Sequence, residues 1–67
     1  MDKSVISKRL VKLRGTKSQE EVARATGISP SALSMYENGE RVPRDEIKIR
    51  LAEYYGTSVE EIFFARQ

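Results

Sequence analysis

Only three residues, Gly27, Ile28 and Ser29, separate two segments that each carry their own helix signals. On the N-terminal side Ser18-x-x-Glu21 is a capping box, in which serine and glutamate side chains satisfy the first free amides of a helix. That helix opens at Gln19, runs through Val22 and Ala23, and ends at Gly27, where glycine enters the left-handed turn without a Cβ penalty. On the C-terminal side Ser29 is a good N-cap and Pro30 fits the first helical position, which needs no amide donor. This second segment runs to about Glu37 and is terminated by Asn38-Gly39. Two helices joined so tightly must cross steeply. The small Ala23 lets them approach, and Ile28, Leu33 and Tyr36 fill the angle between them.

The rest of the chain is punctuated at similar intervals. Ile6, Leu10 and Leu13 stand at i, i+4 and i+7, an apolar stripe on a first helix from about Lys3 to Arg14. After the loop closed by Pro43, Ile47, Leu51, Ala52 and Tyr55 mark a fourth helix. Thr57-x-x-Glu60 or Ser58-x-x-Glu61 caps a fifth, short one, with Val59, Ile62 and Phe63 inward. Nothing reads as a strand. The expected fold is all-α, a compact bundle of five short helices forming a single domain over residues 1–67.

Charge and composition narrow the chemistry. The 67 residues include no cysteine and no histidine, which excludes a disulfide framework, a thiolate or imidazole zinc site and a nucleophile–histidine triad. The carboxylates sit at helix starts, where capping accounts for them, and there is no glycine-rich phosphate loop; no enzyme and no cofactor is expected. No run approaches the ~18 apolar residues of a membrane span, so the expected location is the cytoplasm, in association with the nucleoid. Net charge is only +2, but its distribution is uneven. Residues 1–17 hold Lys3, Lys8, Arg9, Lys12, Arg14 and Lys17 against Asp2 alone, a field that can orient a protein on a polyanion.

The third helix then poses a question of purpose. At 100° per residue, Ala32, Leu33 and Tyr36 cluster toward the body, while Pro30, Ser31, Ser34 and Met35 cluster outward. A short-chained outward face suits a helix that must enter the major groove of B-DNA, about 12 Å wide, with its N-terminal residues at base edges. Serines can donate to or accept from any base, and Met35 offers an apolar contact to a thymine methyl.

The run "SQEEVARATGISPSALSMYENGERVP", with "LRG" before it and "LAEYYGTSVEEIF" after it, resembles the Xre/Cro family of lambda-repressor-like helix-turn-helix regulators. The likeness extends from about Ile6 to Phe63, with the helix-turn-helix at about residues 19–38. It implies a five-helix fold and a role for each matching residue. Gln19 would bond the phosphate backbone, as would Lys17, Ser29, Asn38, Arg41 and Arg44. Ser31, Ser34 and Met35 match base-contacting positions, as does Pro30, which stands where relatives often present a polar side chain. Arg14 matches an arginine that pairs with the glutamate of "ENG", here Glu37. Two departures stand out. The link from Arg14 to Gln19 is shorter than in many relatives, which brings Lys17 toward a phosphate. Thr26 replaces the usual aliphatic residue, an expected weakness under the turn.

Together these readings point to a sequence-specific double-stranded DNA-binding regulator, a bacterial or phage repressor that binds a pseudo-palindromic operator as a homodimer. Phe64, with Phe63 beside it, is the candidate subunit contact. A regulatory or antagonist protein would be a further partner. The alternative is a protein-interaction module, such as an antitoxin that holds its partner through the C-terminal helix.

Overall fold

Three of the four α-helices start where a side chain takes over an amide that the helix itself leaves free, and the one that opens at Asp45 has no side-chain cap. The computed structural model describes residues 2–65 and winds them into α1 (Lys3–Arg14), α2 (Gln19–Thr26), α3 (Pro30–Glu37), α4 (Asp45–Tyr55) and a closing π-helical turn (Glu60–Phe64), with no strand among them. Asp2 caps α1 by accepting from the Val5 amide at 3.0 Å. That bond, with the Ser4 hydroxyl, holds the Asp2 carboxyl below the ordinary carboxylate value. Ser18 accepts from the Glu21 amide at 3.0 Å and Ser29 from the Ala32 amide at 3.1 Å. Of the two candidate caps near the C-terminus, Ser58 takes the backbone role, accepting from Glu61 N–H at 3.1 Å. The Thr57 hydroxyl donates instead to the Glu61 carboxylate at 2.9 Å.

Every element contributes to one core. Ile6 and Leu10 of α1 meet Val22 and Ala23 of α2, Ile28 of the turn, Leu33 and Tyr36 of α3, Leu51 and Ala52 of α4, and Ile62 and Phe63 of the closing turn. That turn is wound more loosely than an α-helix, its end closed by Ala65 N–H donating to the Glu60 carbonyl five residues back. Ile62 and Phe63 are both buried in it. Arg9 ties the turn to α1 through Nη1, which donates to the carbonyls of Glu61 at 2.8 Å and Ile62 at 3.2 Å.

The apolar stripe of α1 does not stay buried to its end. Leu13 is 38% exposed. Leu13 instead lines an open groove with Arg9, Lys12, Thr57 and Ile62. No helix among the described residues is long and apolar enough to cross a membrane.

The end of α4 carries a polar oddity. Tyr54 and Tyr55 meet edge to face with centroids 5.1 Å apart, and the Tyr55 hydroxyl is buried with no hydrogen-bond partner among the described residues. Burial pushes its pKa up to about 12, helped by the negative charge of Glu37 and by Tyr54, with Arg14 opposing. The folded protein therefore favours the neutral phenol. Its contribution is fully present below pH 10, the ordinary tyrosine value, and is lost as pH rises from there to about 12.

Replacing Tyr55 with Phe removes an orphaned hydroxyl and should raise stability at neutral pH by about 1 kcal/mol. Denaturant titrations at neutral pH and above pH 10 should show that advantage widening as pH rises. A gap that stays constant with pH would mean that the phenol titrates normally.

Candidate nucleic-acid interface

The joint between α2 and α3 is built as its sequence requires. Gly27 adopts φ 76° and ψ 14°, and its N–H donates to the Ala23 carbonyl at 2.9 Å. Thr26 is not a loose polar residue under the turn. Its hydroxyl donates to the Val22 carbonyl at 2.8 Å and accepts the Ile28 N–H at 3.4 Å, so the side chain braces the backbone where it changes direction.

The inward and outward faces of α3 separate cleanly. Leu33 and Tyr36 are buried, and Ala32 is half-buried. Pro30 and Ser31 are open to solvent, while Ser34 and Met35 are half-buried. The four lie along one strip that is open at its N-terminal end and half-buried at Ser34 and Met35. The Ser29 hydroxyl is engaged as the cap of α3, but its proton is still available for donation. Beside the turn, Glu20, Arg24, Ser29 and Pro30 line a shallow depression.

At the far end of the helix, Asn38 is exposed, and its side-chain N–H donates to the Ser34 hydroxyl at 3.3 Å and to Glu40 Oε2 at 3.4 Å. Gly39 takes φ 76°, which lets Glu40 N–H close the helix end on the Met35 carbonyl at 2.9 Å. Arg41 and Arg44 follow on an exposed loop pinned by the buried Pro43. Neither arginine has an ion-pair partner among the described residues. The Lys17 ammonium sits 5.1 Å above the Tyr54 ring, where a cation–π contact holds it without consuming its charge.

Beneath this strip lies one buried carboxylate. The Glu37 side chain is only 2% exposed. Arg14 Nε donates to its two oxygens at 2.9 and 3.1 Å, and Gln19 Nε2 donates to Oε1 at 2.7 Å. Arg14 Nη1 also donates to the Lys17 carbonyl at 2.7 Å, holding the link between α1 and α2. One anion therefore fixes the end of α1, the head of α2 and the end of α3. The Arg14–Glu37 pair agrees with the expectation drawn from the resemblance. Gln19 braces the end of α3 through its bond to Glu37, which uses one of its two side-chain N–H groups and leaves the other on a half-exposed residue. A signal for it was present in the sequence: Glu37 lies four residues after Leu33, on the buried face, and a carboxylate there requires donors.

Phe63 and Phe64 part company. Phe63 is 2% exposed and belongs to the core, so it presents nothing to a second subunit. Phe64 is 59% exposed. The Lys48 ammonium lies 4.8 Å from the Phe64 ring centroid and 3.6 Å from an Asp45 carboxylate oxygen. No group of side chains suited to a metal ion occurs among the described residues.

The cluster predicts an asymmetry. Arg14→Ala leaves a buried carboxylate short of its cation and should cost about 3 kcal/mol or more. Glu37→Gln leaves an arginine that is already 22% exposed and can turn to water, and should cost about 1 kcal/mol. Urea midpoints of the two variants at unchanged slope measure this; equal losses would mean that Glu37 is not the residue that needs its partner.

A family model for the helix-turn-helix matches residues 8–62, from α1 to the closing turn. No curated protein and no solved structure matches the chain. With that match over five helices, a glycine-turned α2–α3 joint and the arginine–glutamate pair behind it, the chain belongs to the Xre/Cro, lambda-repressor-like family of helix-turn-helix DNA-binding regulators.

Proposed function

We propose that this chain acts as a single DNA-binding domain and represses transcription by binding a pseudo-palindromic operator as a homodimer, in the cytoplasm of a bacterium or on a phage genome, where its DNA lies. The observation that carries the reading is the strip Pro30, Ser31, Ser34 and Met35, short side chains left outward while Leu33 and Tyr36 are buried. Such a strip fits a major groove without steric cost, and two subunits would place their third helices about 34 Å apart, one helical turn of DNA. Ser31, Ser34 and Met35 read base edges, and Pro30 packs against them as the helix enters. Lys17, Ser29, Asn38, Arg41 and Arg44 meet phosphates and set the register. Gln19 joins them with the side-chain N–H that its bond to Glu37 leaves over. Repression follows where the operator overlaps a promoter.

The subunit contact is assigned to Phe64, an exposed aromatic at the edge of the core. The same residue supports a second reading, in which the C-terminal turn holds a different protein, as an antitoxin does.

Two substitutions separate base reading from phosphate holding on a duplex selected from a random pool. Ser31→Ala should lose discrimination at one base pair, worth about 1–3 kcal/mol, and little affinity elsewhere. Arg41→Ala should weaken all duplexes alike and flatten the dependence of log K on log salt by about 0.9. A uniform loss from Ser31→Ala would remove it from the base-reading set. A pool that yields no enriched sequence would remove sequence-specific binding altogether.

Phe64→Glu should leave the fold intact, because the ring it replaces is mostly in water. Sedimentation should show the dimer lost, and binding to a full operator should fall to that of a half-site. A dimer that survives the change places the contact elsewhere.

A further inference from the structure

Asn38 is the single asparagine of the chain, and the residue after it is glycine. That pairing has its own chemistry, because a glycine nitrogen carries no neighbouring side chain to hinder its attack on the asparagine amide. We propose that Asn38–Gly39 is a spontaneous deamidation site whose conversion turns the end of the reading helix from holding phosphate to repelling it. The modification rests on the dipeptide and its setting. Its effect on DNA rests on the reading given under Proposed function.

The reaction needs no enzyme and no oxidant. The Gly39 nitrogen loses its proton and attacks Cγ of Asn38, forming a new C–N bond. The Cγ–Nδ2 bond breaks, and the nitrogen leaves with that proton as ammonia. Water then opens the cyclic imide at either carbonyl, leaving aspartate or isoaspartate at position 38.

The setting holds the reacting groups weakly. Asn38 is exposed. Its side-chain amide is restrained by two bonds of 3.3 and 3.4 Å, and the Gly39 N–H by one of 3.4 Å to the Tyr36 carbonyl. All three exceed the 2.7–3.2 Å range of well-made N–H···O bonds. Asn38 sits at ψ −2°, so the backbone must rotate before attack, but a helix end is where local opening costs least. Adjacent anchors are firmer: Asn38 N–H to the Ser34 carbonyl and Glu40 N–H to the Met35 carbonyl are both 2.9 Å. Attack in the folded protein therefore requires the Glu40–Met35 bond to open as well, which makes it slower than in the unfolded chain.

The product is poorly matched to its surroundings. The donor that faced Glu40 Oε2 at 3.4 Å becomes an anion beside an anion. It also lies at the helix C-terminus, where the macrodipole disfavours negative charge. At a phosphate, a hydrogen-bond donor is replaced by a repelling carboxylate.

The test begins with purified protein held at physiological pH and temperature, beside a sample denatured in guanidinium and an Asn38→Gln variant whose longer side chain cyclises far more slowly. Intact mass should rise by one dalton in the native protein, more slowly than in the denatured one and faster as pH increases. The gain should map to the peptide containing Asn38 and be absent from the variant. The converted form, separated by ion exchange and shown by its melting curve to remain folded, should bind the selected duplex about tenfold more weakly or worse. Asn38→Asp should behave similarly. A native protein that gains no mass while the denatured one converts fully would overturn the site. Equal affinity of converted and unconverted protein would overturn the switch. Should the unconverted protein bind no duplex, the switch falls with the DNA reading while the mass gain still stands.

Discussion

Much of this structure depends on one anion placed where water cannot reach it. Glu37 ends the reading helix with its side chain inward, and burying a carboxylate is costly unless donors surround it. Arg14 and Gln19 supply them from residues 23 and 18 positions away. Because both bonds are directional, satisfying the charge also fixes how α1, α2 and α3 sit against one another. The core alone would be less exacting, since hydrophobic burial is non-directional. The carboxylate thus sets the orientation of α3 relative to the other two helices.

That role matters because the individual helices are short. α2 and α3 have 8 residues each, α4 has 11 and α1 has 12. Isolated helices below ~12–15 residues are marginal in water. Each is therefore held by its share of a core drawn from all five elements, α1, α2 and α3 also by side-chain caps, and the closing turn by its tie to Arg9. The polar strip on α3 needs this support from behind, for it contributes little to packing itself. Under the proposed function its blandness suits a groove-facing surface, with hydroxyls that can adapt to either partner of a base pair.

The polar contacts differ in firmness along the reading helix. The N-terminal end is capped by Ser29 at 3.1 Å. The buried end is locked by Glu37, while Asn38, at the exposed end, is held by longer bonds. A helix anchored on its inner face and adaptable at its outer corner can keep its register while Asn38 adjusts to a partner. The same looseness is what leaves the Asn38–Gly39 junction chemically open.

Much of the fold was legible in the sequence because it is written locally. Caps, turn glycines and the spacing of Ile6, Leu10, Leu33 and Tyr36 act within a few residues, so helix bounds, the tight α2–α3 joint and the outward strip of α3 could be read directly. The Arg14–Glu37 pair came from resemblance rather than from spacing. Other features depended on which distant atoms finally meet. Leu13 fits its stripe but is left partly uncovered. Gln19 turns to Glu37 because a buried carboxylate attracts any donor within reach. Phe63 and Phe64 are adjacent in sequence, yet one is buried and the other exposed. The Tyr55 hydroxyl is enclosed without a partner because its ring was placed by packing. Local sequence determined which segments are helical and which face of each is apolar; only the tertiary structure decided which polar atoms are paired, because pairing needs groups that the chain brings together from far apart.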